Sequence, residues 1–181
     1  MARPVFGSVL ACAAVAVAAL VGGLSLAPAP AQARNGSQLS TLQSGVLDQI
    51  NFIRTQHGLV PLRLNVDLGD AATEHTDEMA ADGYFQHDSA DGSAFWQRIA
   101  RYFPSAGYGY WAVGENLLWS SPSVGPAGAL QLWMRSPEHR ANILAPRWRE
   151  IGIAAVHVAH GPGTFRNLPV TIITTDFGVR R

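Results

Sequence analysis

The chain contains no lysine: all 13 of its basic residues are arginine, set against 13 acidic residues for a formal net charge of zero. A neutral chain lacks the basic face that displaces counterions from a polyanion, so nucleic acid is excluded as a partner. The missing lysines also remove the usual polybasic membrane patch. One cysteine, Cys12, leaves no intramolecular disulfide and no cysteine-based metal finger. No G-x-S-x-G elbow, Walker loop, G-x-G-x-x-G or H-E-x-x-H occurs, which removes the common hydrolase, nucleotide and metalloprotease signatures. The 181 residues suit one domain. Their apolar fraction of 48% is high for such a domain, and the surplus lies at the N-terminus.

Arg3 gives a short positive start, and Val5 to Leu26 is almost wholly Ala, Val, Leu and Gly without a charge. Pro28, Pro30 and Ala31-Gln32-Ala33 follow. This is the three-part pattern of a secretory signal, with cleavage expected after Ala33. An uncleaved membrane anchor is the alternative, since about 20 apolar residues span a bilayer. A lipoprotein reading through Val9-Leu10-Ala11-Cys12 is opposed by the long apolar run after the cysteine. The division expected is a signal peptide over 1–33, a short lead-in over 34–43 and one domain over 44–181. The protein is then secreted, extracellular or held in the cell envelope, with no membrane association after cleavage and a monomer as the default state. Removing the signal takes Cys12 with it and leaves an apolar fraction of roughly 43%, ordinary for a globular domain.

In the remainder, Leu39, Leu42, Val46, Leu47, Ile50 and Ile53 recur at helical spacing, with Gly58 as a stop. Pro61 to Asn65 reads as a connector. Asp67 is placed to cap a second helix, whose stripe runs Leu68, Ala71, Ala72, His75, Met79 and Ala80 and ends at Gly83. Phe95–Phe103 is a shorter helix and Ser105–Trp111 a Gly/Tyr loop. Leu117-Leu118-Trp119 is strand-like. Pro126 opens a helix to Arg135, and Ser136-Pro137-Glu138 caps another through Leu144. Ile151–Ala159 and Leu168–Phe177 are rich in Val, Ile and Thr and read as strands joined by a hairpin loop over His160–Asn167. Helices first and strands later predict an α+β or three-layer α/β/α arrangement.

Three stretches concentrate coordinating groups: Phe85-Gln86-His87-Asp88-Ser89, Gly114-Glu115-Asn116, and Trp133 to Leu144 with Ser136, Glu138 and His139. In order and spacing they fall into a known pattern. Leu47-x-x-Ile50-Asn51-x-x-Arg54, Leu64-Asn65-x-x-Leu68 and Ala72-x-x-His75-x-x-x-Met79-Ala80 come first. Tyr84-Phe85-x-His87-x-Ser89, Asp91-Gly92, Arg98-Ile99, Gly107-Tyr108 and Gly114-Glu115-Asn116 follow. Trp133-x-x-Ser136-Pro137-x-His139-Arg140-x-Asn142-Ile143-Leu144, Ile151-Gly152-Ile153 and Thr175-Asp176-Phe177-Gly178 complete it. Over about residues 44–178 the chain resembles the CAP superfamily, the SCP-like extracellular domain, in its bacterial form. The resemblance implies a three-layer α-β-α sandwich and a cleft lined by two histidines and an acid. By position these are His87, His139 and Glu115. Larger relatives add a second glutamate before the last histidine. This chain has Met134-Arg135 there, and Glu138 stands where bacterial relatives often have glycine. Family members include sterol and fatty-acid binders and signalling or defence proteins.

Two imidazoles and a carboxylate support several chemistries. They can ligate a divalent metal such as Zn²⁺ and leave a position for water, which then becomes a nucleophile. Glu115 can orient one histidine while the other acts as a base. Glu115 can also simply tie elements together. Asn116 and the cap Ser136 are the further candidate ligand-binding residues, with Ser89 as a turn residue. Gly114 is expected to allow a tight backbone before the strand. His75 reads as a packing residue, His57 as a helix-end charge, and His157 and His160 as exposed. Trp96, Tyr108, Tyr110, Trp111 and Trp119 are expected to cluster near the cleft, as an aromatic-lined groove for a lipid, glycan or peptide. The functional reading is a binding module for a divalent metal, a small apolar ligand or a cell-envelope component. The alternatives are a metal-dependent hydrolase using His87, His139 and Glu115, or an interaction domain with a vestigial cleft.

Overall fold

Residues 40–181 are described by the structure, a computed structural model; the expected export signal and residues 34–39 lie outside the described residues. Helix α1 (Thr41–Gln56) begins on a reciprocal cap. Ser40 Oγ accepts the Gln43 N–H at 3.3 Å, and the Gln43 side-chain oxygen accepts the Ser40 N–H at 2.8 Å. Two otherwise orphaned donors are thereby satisfied. Helix α2 (Val66–Asp82) is capped by Asn65, whose Oδ1 accepts the Leu68 N–H at 3.1 Å. Asp67, the expected cap, lies one residue inside the helix and pairs instead with Arg180 at 2.9 Å. Gly83, at φ 72°, ends α2 in the left-handed conformation that glycine adopts without a Cβ penalty. Helix α3 spans Phe95–Tyr102, α4 Pro126–Arg135 and α5 Pro137–Ile143. Proline opens both α4 and α5, where its missing N–H costs nothing. Ser136 sits at the N-cap of α5, yet its side chain makes no capping bond, contrary to expectation.

The sheet has four strands in the order β1-β3-β4-β2. Strand β1 (Arg63–Leu64), expected as connector, pairs parallel with β3 (Glu150–Gly161). Strand β4 (Leu168–Arg180) lies antiparallel between β3 and β2 (Trp111–Ser120). The β3–β4 hairpin closes through a 3-10 turn at Gly163–Phe165. Side chains of a strand alternate between faces. On β4, Ile173, Phe177 and Val179 pack with Val46, Ile50 and Trp133 under α1 and α4. Val170 and Ile172 pack on the other side with Met79 of α2. Leu68 and Ala71 of α2 meet Ile99 of α3 and Phe103 there. Helices α1, α4 and α5 therefore cover one face and α2 and α3 the other. This is the expected three-layer α-β-α sandwich of the α+β class.

Backbone approach is closest at Gly152 of β3. A Cβ there would stand 2.0 Å from the Leu68 carbonyl carbon, so α2 lies directly on the strand. Gly152→Ala forces backbone apart rather than a flexible side chain. It is expected to lower the unfolding free energy by about 3 kcal/mol in urea denaturation. A loss below about 1 kcal/mol would show that α2 slides freely on the sheet.

Candidate functional site

Strand β2 is an edge, yet its centre from Gly114 to Leu117 is buried. Tyr110 and Arg181 exchange both backbone hydrogen bonds, at 2.8 and 3.0 Å. Antiparallel pairs alternate in type, so Glu115 and Asp176, in register, form a non-hydrogen-bonded pair with Cα atoms about 4.5 Å apart. Their side chains share the α2/α3 face. The carbonyls of Glu115 and Leu117 point off the sheet edge. Asn142 Nδ2 donates to the first at 3.2 Å and Trp133 Nε1 to the second at 3.0 Å. Side chains of α4 and α5 thus close an edge that would otherwise be open. Asn116 points to α5, where its Nδ2 donates to the His139 carbonyl at 3.1 Å. A Cβ on Gly114 would lie 2.8 Å from both Asn142 Oδ1 and the Trp148 ring. The glycine is required by this close packing within β2, not by a tight backbone before it.

The Glu115 side chain is fully buried and both of its oxygens are occupied. Oε1 accepts His87 Nδ1–H at 2.7 Å, and Oε2 accepts from Nη2 of Arg98. Arg98, also fully buried, donates through Nη1 to the His87 carbonyl and to Ser89 Oγ, both at 3.2 Å. One guanidinium therefore fastens the His87 loop to the strand. In the sequence Arg98 is only one residue of a family pattern; an arginine beside Ile99 on a short amphipathic helix was the available signal for its burial.

Asp176 faces Arg98 and Glu115 with no hydrogen-bond donor to either of its oxygens. Burial, then the Glu115 charge, raises its proton affinity well above the ordinary carboxylate range. Burial likewise pushes Glu115 up to about 7, against the pull of Arg98. Glu115 accepts two donors and Asp176 none, so the proton the pair retains sits on Asp176. His87 and His139 are both shifted downward, primarily by burial. Arg98 adds to this at His87, and His87 adds to it at His139. Both rings are neutral at neutral pH. His87 spends its Nδ1–H on Glu115 and presents Nε2 as a bare acceptor, with 49% of its side chain exposed.

Behind this front, His75 of α2 is fully buried and donates Nε2–H to the Gln86 carbonyl at 2.9 Å. Tyr84 donates its hydroxyl to Glu78, and the other Glu78 oxygen accepts the Ala90 N–H at 3.2 Å. The loop is pinned on both sides of His87. The packing role expected for His75 is present, but its hydrogen bond into the loop needed tertiary structure to be seen.

The structure thus joins His87 to Glu115 and brings Asn116 against the α5 backbone beside His139. His139 comes from the opposite layer, and the charge of His87 reaches it. Glu138, left open by the sequence, is exposed and its charge reaches both imidazoles. Ser136 makes no side-chain bond to the cleft. Among the described residues no three His, Cys, Asp or Glu side chains are grouped to hold a metal ion. Glu115 is committed on both oxygens, to His87 and to Arg98. The expected aromatic groove is also not assembled. Trp111 and Trp119 lie at opposite ends of β2, about 26 Å apart along the strand. Trp119 packs edge-on to Phe165 at 5.5 Å, while Arg180 lies over Tyr108 and Arg181 over Tyr110.

The buried His75 makes a pH prediction. Its proton affinity is pushed down to about 4, first by burial and then by Arg98. Below pH 6.5 the unfolded chain binds a proton there that the folded chain refuses until about pH 4. This stability is complete above pH 6.5 and is lost as pH falls toward 4, by on the order of 3 kcal/mol. The raised Glu115–Asp176 pair works in the opposite sense, favouring the fold at low pH and losing that advantage as pH rises through about 7. Urea denaturation across pH 4 to 6.5 should show stability changing with pH less positively for His75→Phe than for the wild type, by about 1.4 kcal/mol per pH unit. Equal slopes would contradict the assignment.

Comparison with known proteins gives the same frame. The model of the cysteine-rich secretory protein family (CAP) matches residues 47–174. The uncharacterized Bacillus subtilis protein YkwD is 32% identical over 138 residues, covering 73% of this chain and 51% of that protein. The uncharacterized B. subtilis membrane protein YlbC is 27% identical over 63% of this chain and 31% of its own length. The chain thus spans about half the length of the first of these curated relatives and about a third of the second. An extracellular SCP-domain protein of Bacillus anthracis superposes with a TM-score of 0.58 at 26% identity, covering 77% of this chain and 40% of that one. An outer surface protein of Borrelia burgdorferi shares the fold, with a TM-score of 0.64 at 19% identity over 81% of this chain and 99% of that one. No helix among the described residues is long and apolar enough to cross a membrane. With its sandwich, its edge-strand glutamate and a family match across most of its length, the chain belongs to the cysteine-rich secretory protein (CAP) family.

Proposed function

We propose that the protein is an exported binding module that takes a cell-envelope ligand at the β2 edge through His87 and His139. One observation carries this reading. The His87 ring is half exposed in front of a carboxylate that is wholly buried and bonded on both oxygens. A histidine built only for packing needs no such backing. Here the buried pair fixes the ring's tautomer and presents one bare nitrogen outward. Export is supported by the three-part N-terminal pattern and by the extracellular nature of the B. anthracis relative.

Hydrolysis through a metal finds less support. Two imidazoles offer a cation two protein ligands, whereas catalytic zinc sites use about three. An apolar ligand, the second reading, has a different place available to it. A groove of about 710 Å³ is lined by Leu42, Val124, Pro122, Pro126, Pro169 and His157, within the ordinary size range of ligand sites. It contains none of the cleft residues.

Co-sedimentation with purified bacterial cell envelopes tests the proposal. The wild type is expected to pellet, and the His87→Ala/His139→Ala double variant to be retained roughly tenfold less. Equal retention of the two would remove the cleft from ligand capture.

A further inference from the structure

His139 is presented by α5, a helix with little to hold it in place by itself. Its seven residues are too few to persist without tertiary support, and its N-cap Ser136 contributes no side-chain bond. Two of its supports lie on neighbouring residues of β2. Asn116 Nδ2 donates to the His139 carbonyl at 3.1 Å, and Asn142 Nδ2 donates to the Glu115 carbonyl at 3.2 Å and to Asn116 Oδ1 at 3.0 Å. Trp148, in the loop that follows, donates Nε1–H to the Asn142 carbonyl at 2.9 Å. The remaining support comes from another helix. Arg54 of α1 donates through Nη1 to the Ile143 carbonyl at 2.7 Å and to the Ala145 carbonyl at 3.1 Å. Its Nε donates to the Val60 carbonyl at 3.1 Å, so the guanidinium is itself tied to the loop after α1.

Arg54 is fully buried, and among the described residues its bonds all run to backbone carbonyls. A buried guanidinium without a carboxylate is costly. Here the acceptors are carbonyls at the C-terminal end of α5, which have no donor within the helix and lie at the negative end of its dipole. Residues 139 and 142 are three apart, so the β2 contacts run along one stripe of α5. They hold that stripe on the strand and leave the helix free to roll about it. Arg54 grips the last turn from α1 and fixes the roll, and with it the direction of the His139 ring. Without that grip the Ile143 carbonyl is left buried and unpaired, and it regains a partner only by turning toward water and taking the end of α5 with it.

We infer that Arg54 is a positioning residue for His139: a buried guanidinium on α1 that sets where the imidazole stands without touching the ligand. This rests on the reading that His139 faces the ligand. The two histidines are then counterparts, each held by a buried arginine of a neighbouring helix. Arg98 of α3 fixes the loop of His87, and Arg54 of α1 fixes the helix of His139.

The test reads the ring ¹⁵N signals of both histidines, the Tm and envelope retention in Arg54→Met and Arg54→Lys. Methionine fills the space without a donor, and lysine keeps a charge and part of the bonding, which guards against loss of the fold. Arg54→Met should move the His139 signals, leave those of His87 at their wild-type values and lower retention roughly threefold, as His139→Ala does. Arg54→Lys should recover part of each. Methylguanidinium, added to Arg54→Ala below denaturing concentration, should return the His139 signals toward the wild type. A role in stability alone would lower Tm while moving neither ring or both, and the small cation would not restore His139. Any of those outcomes would overturn the inference. Equal retention of the wild type and the His87→Ala/His139→Ala variant would sink the binding-module reading instead, and the ring signals would still decide the role of Arg54.

Discussion

A buried arginine holds the site together. Arg98 bonds Glu115 on β2, the His87 carbonyl and the Ser89 hydroxyl, and so spans from the sheet to the loop that carries the histidine. Removing two charges from water is costly, and the cost is offset only where the pair is well bonded and the remaining polar atoms are matched. Glu115 has one donor on each oxygen, whereas Arg98 keeps its Nε buried without a partner. Asp176 has no donor and takes the proton instead. One ion pair thereby sets three properties of the cleft: where the loop lies, which nitrogen of His87 is bare, and which acid stays neutral.

The edge position of β2 explains why such a site forms there. An edge strand has unpaired carbonyls, and here Trp133 and Asn142 cover them. The same Asn142 lies against Gly114 and bonds Asn116, so α5 and its His139 are seated by the closing of the edge. Glu115 and Asn116 point to opposite faces because neighbouring residues of a strand must. One dipeptide therefore addresses both helical layers, bonding the His87 ring through Glu115 and the His139 carbonyl through Asn116.

The family and the fold class were legible in the sequence, the first two helices in their apolar spacing and the family in the ordered motifs. Other features depend on tertiary structure. A two-residue strand such as β1 has too little periodicity to detect, and Arg63–Leu64 gained its identity only by lying beside β3. Asp67 reads as the cap of α2 and Asn65 as the end of a connector; in the fold Asn65 caps the helix, and Arg180, distant in the chain, pairs with Asp67. Asp176 pairs with Glu115 through a register that no local motif encodes, and Arg98 was recognisable only as a family residue without a role. The aromatic groove failed for a related reason. Closeness in sequence suggested a cluster, whereas an extended strand places Trp111 and Trp119 at its two ends.

The state of the His87 ring decides whether Glu115 orients it. A free neutral imidazole can carry its proton on either nitrogen, and the bond made by one nitrogen decides the other. Long-range ¹H–¹⁵N NMR at neutral pH reads both. The bond to Glu115 requires a protonated Nδ1 and an unprotonated Nε2 in the wild type, with the preference lost in Glu115→Ala. A wild-type ring carrying its proton on Nε2 would contradict the Glu115–His87 arrangement and the outward acceptor nitrogen that follows from it.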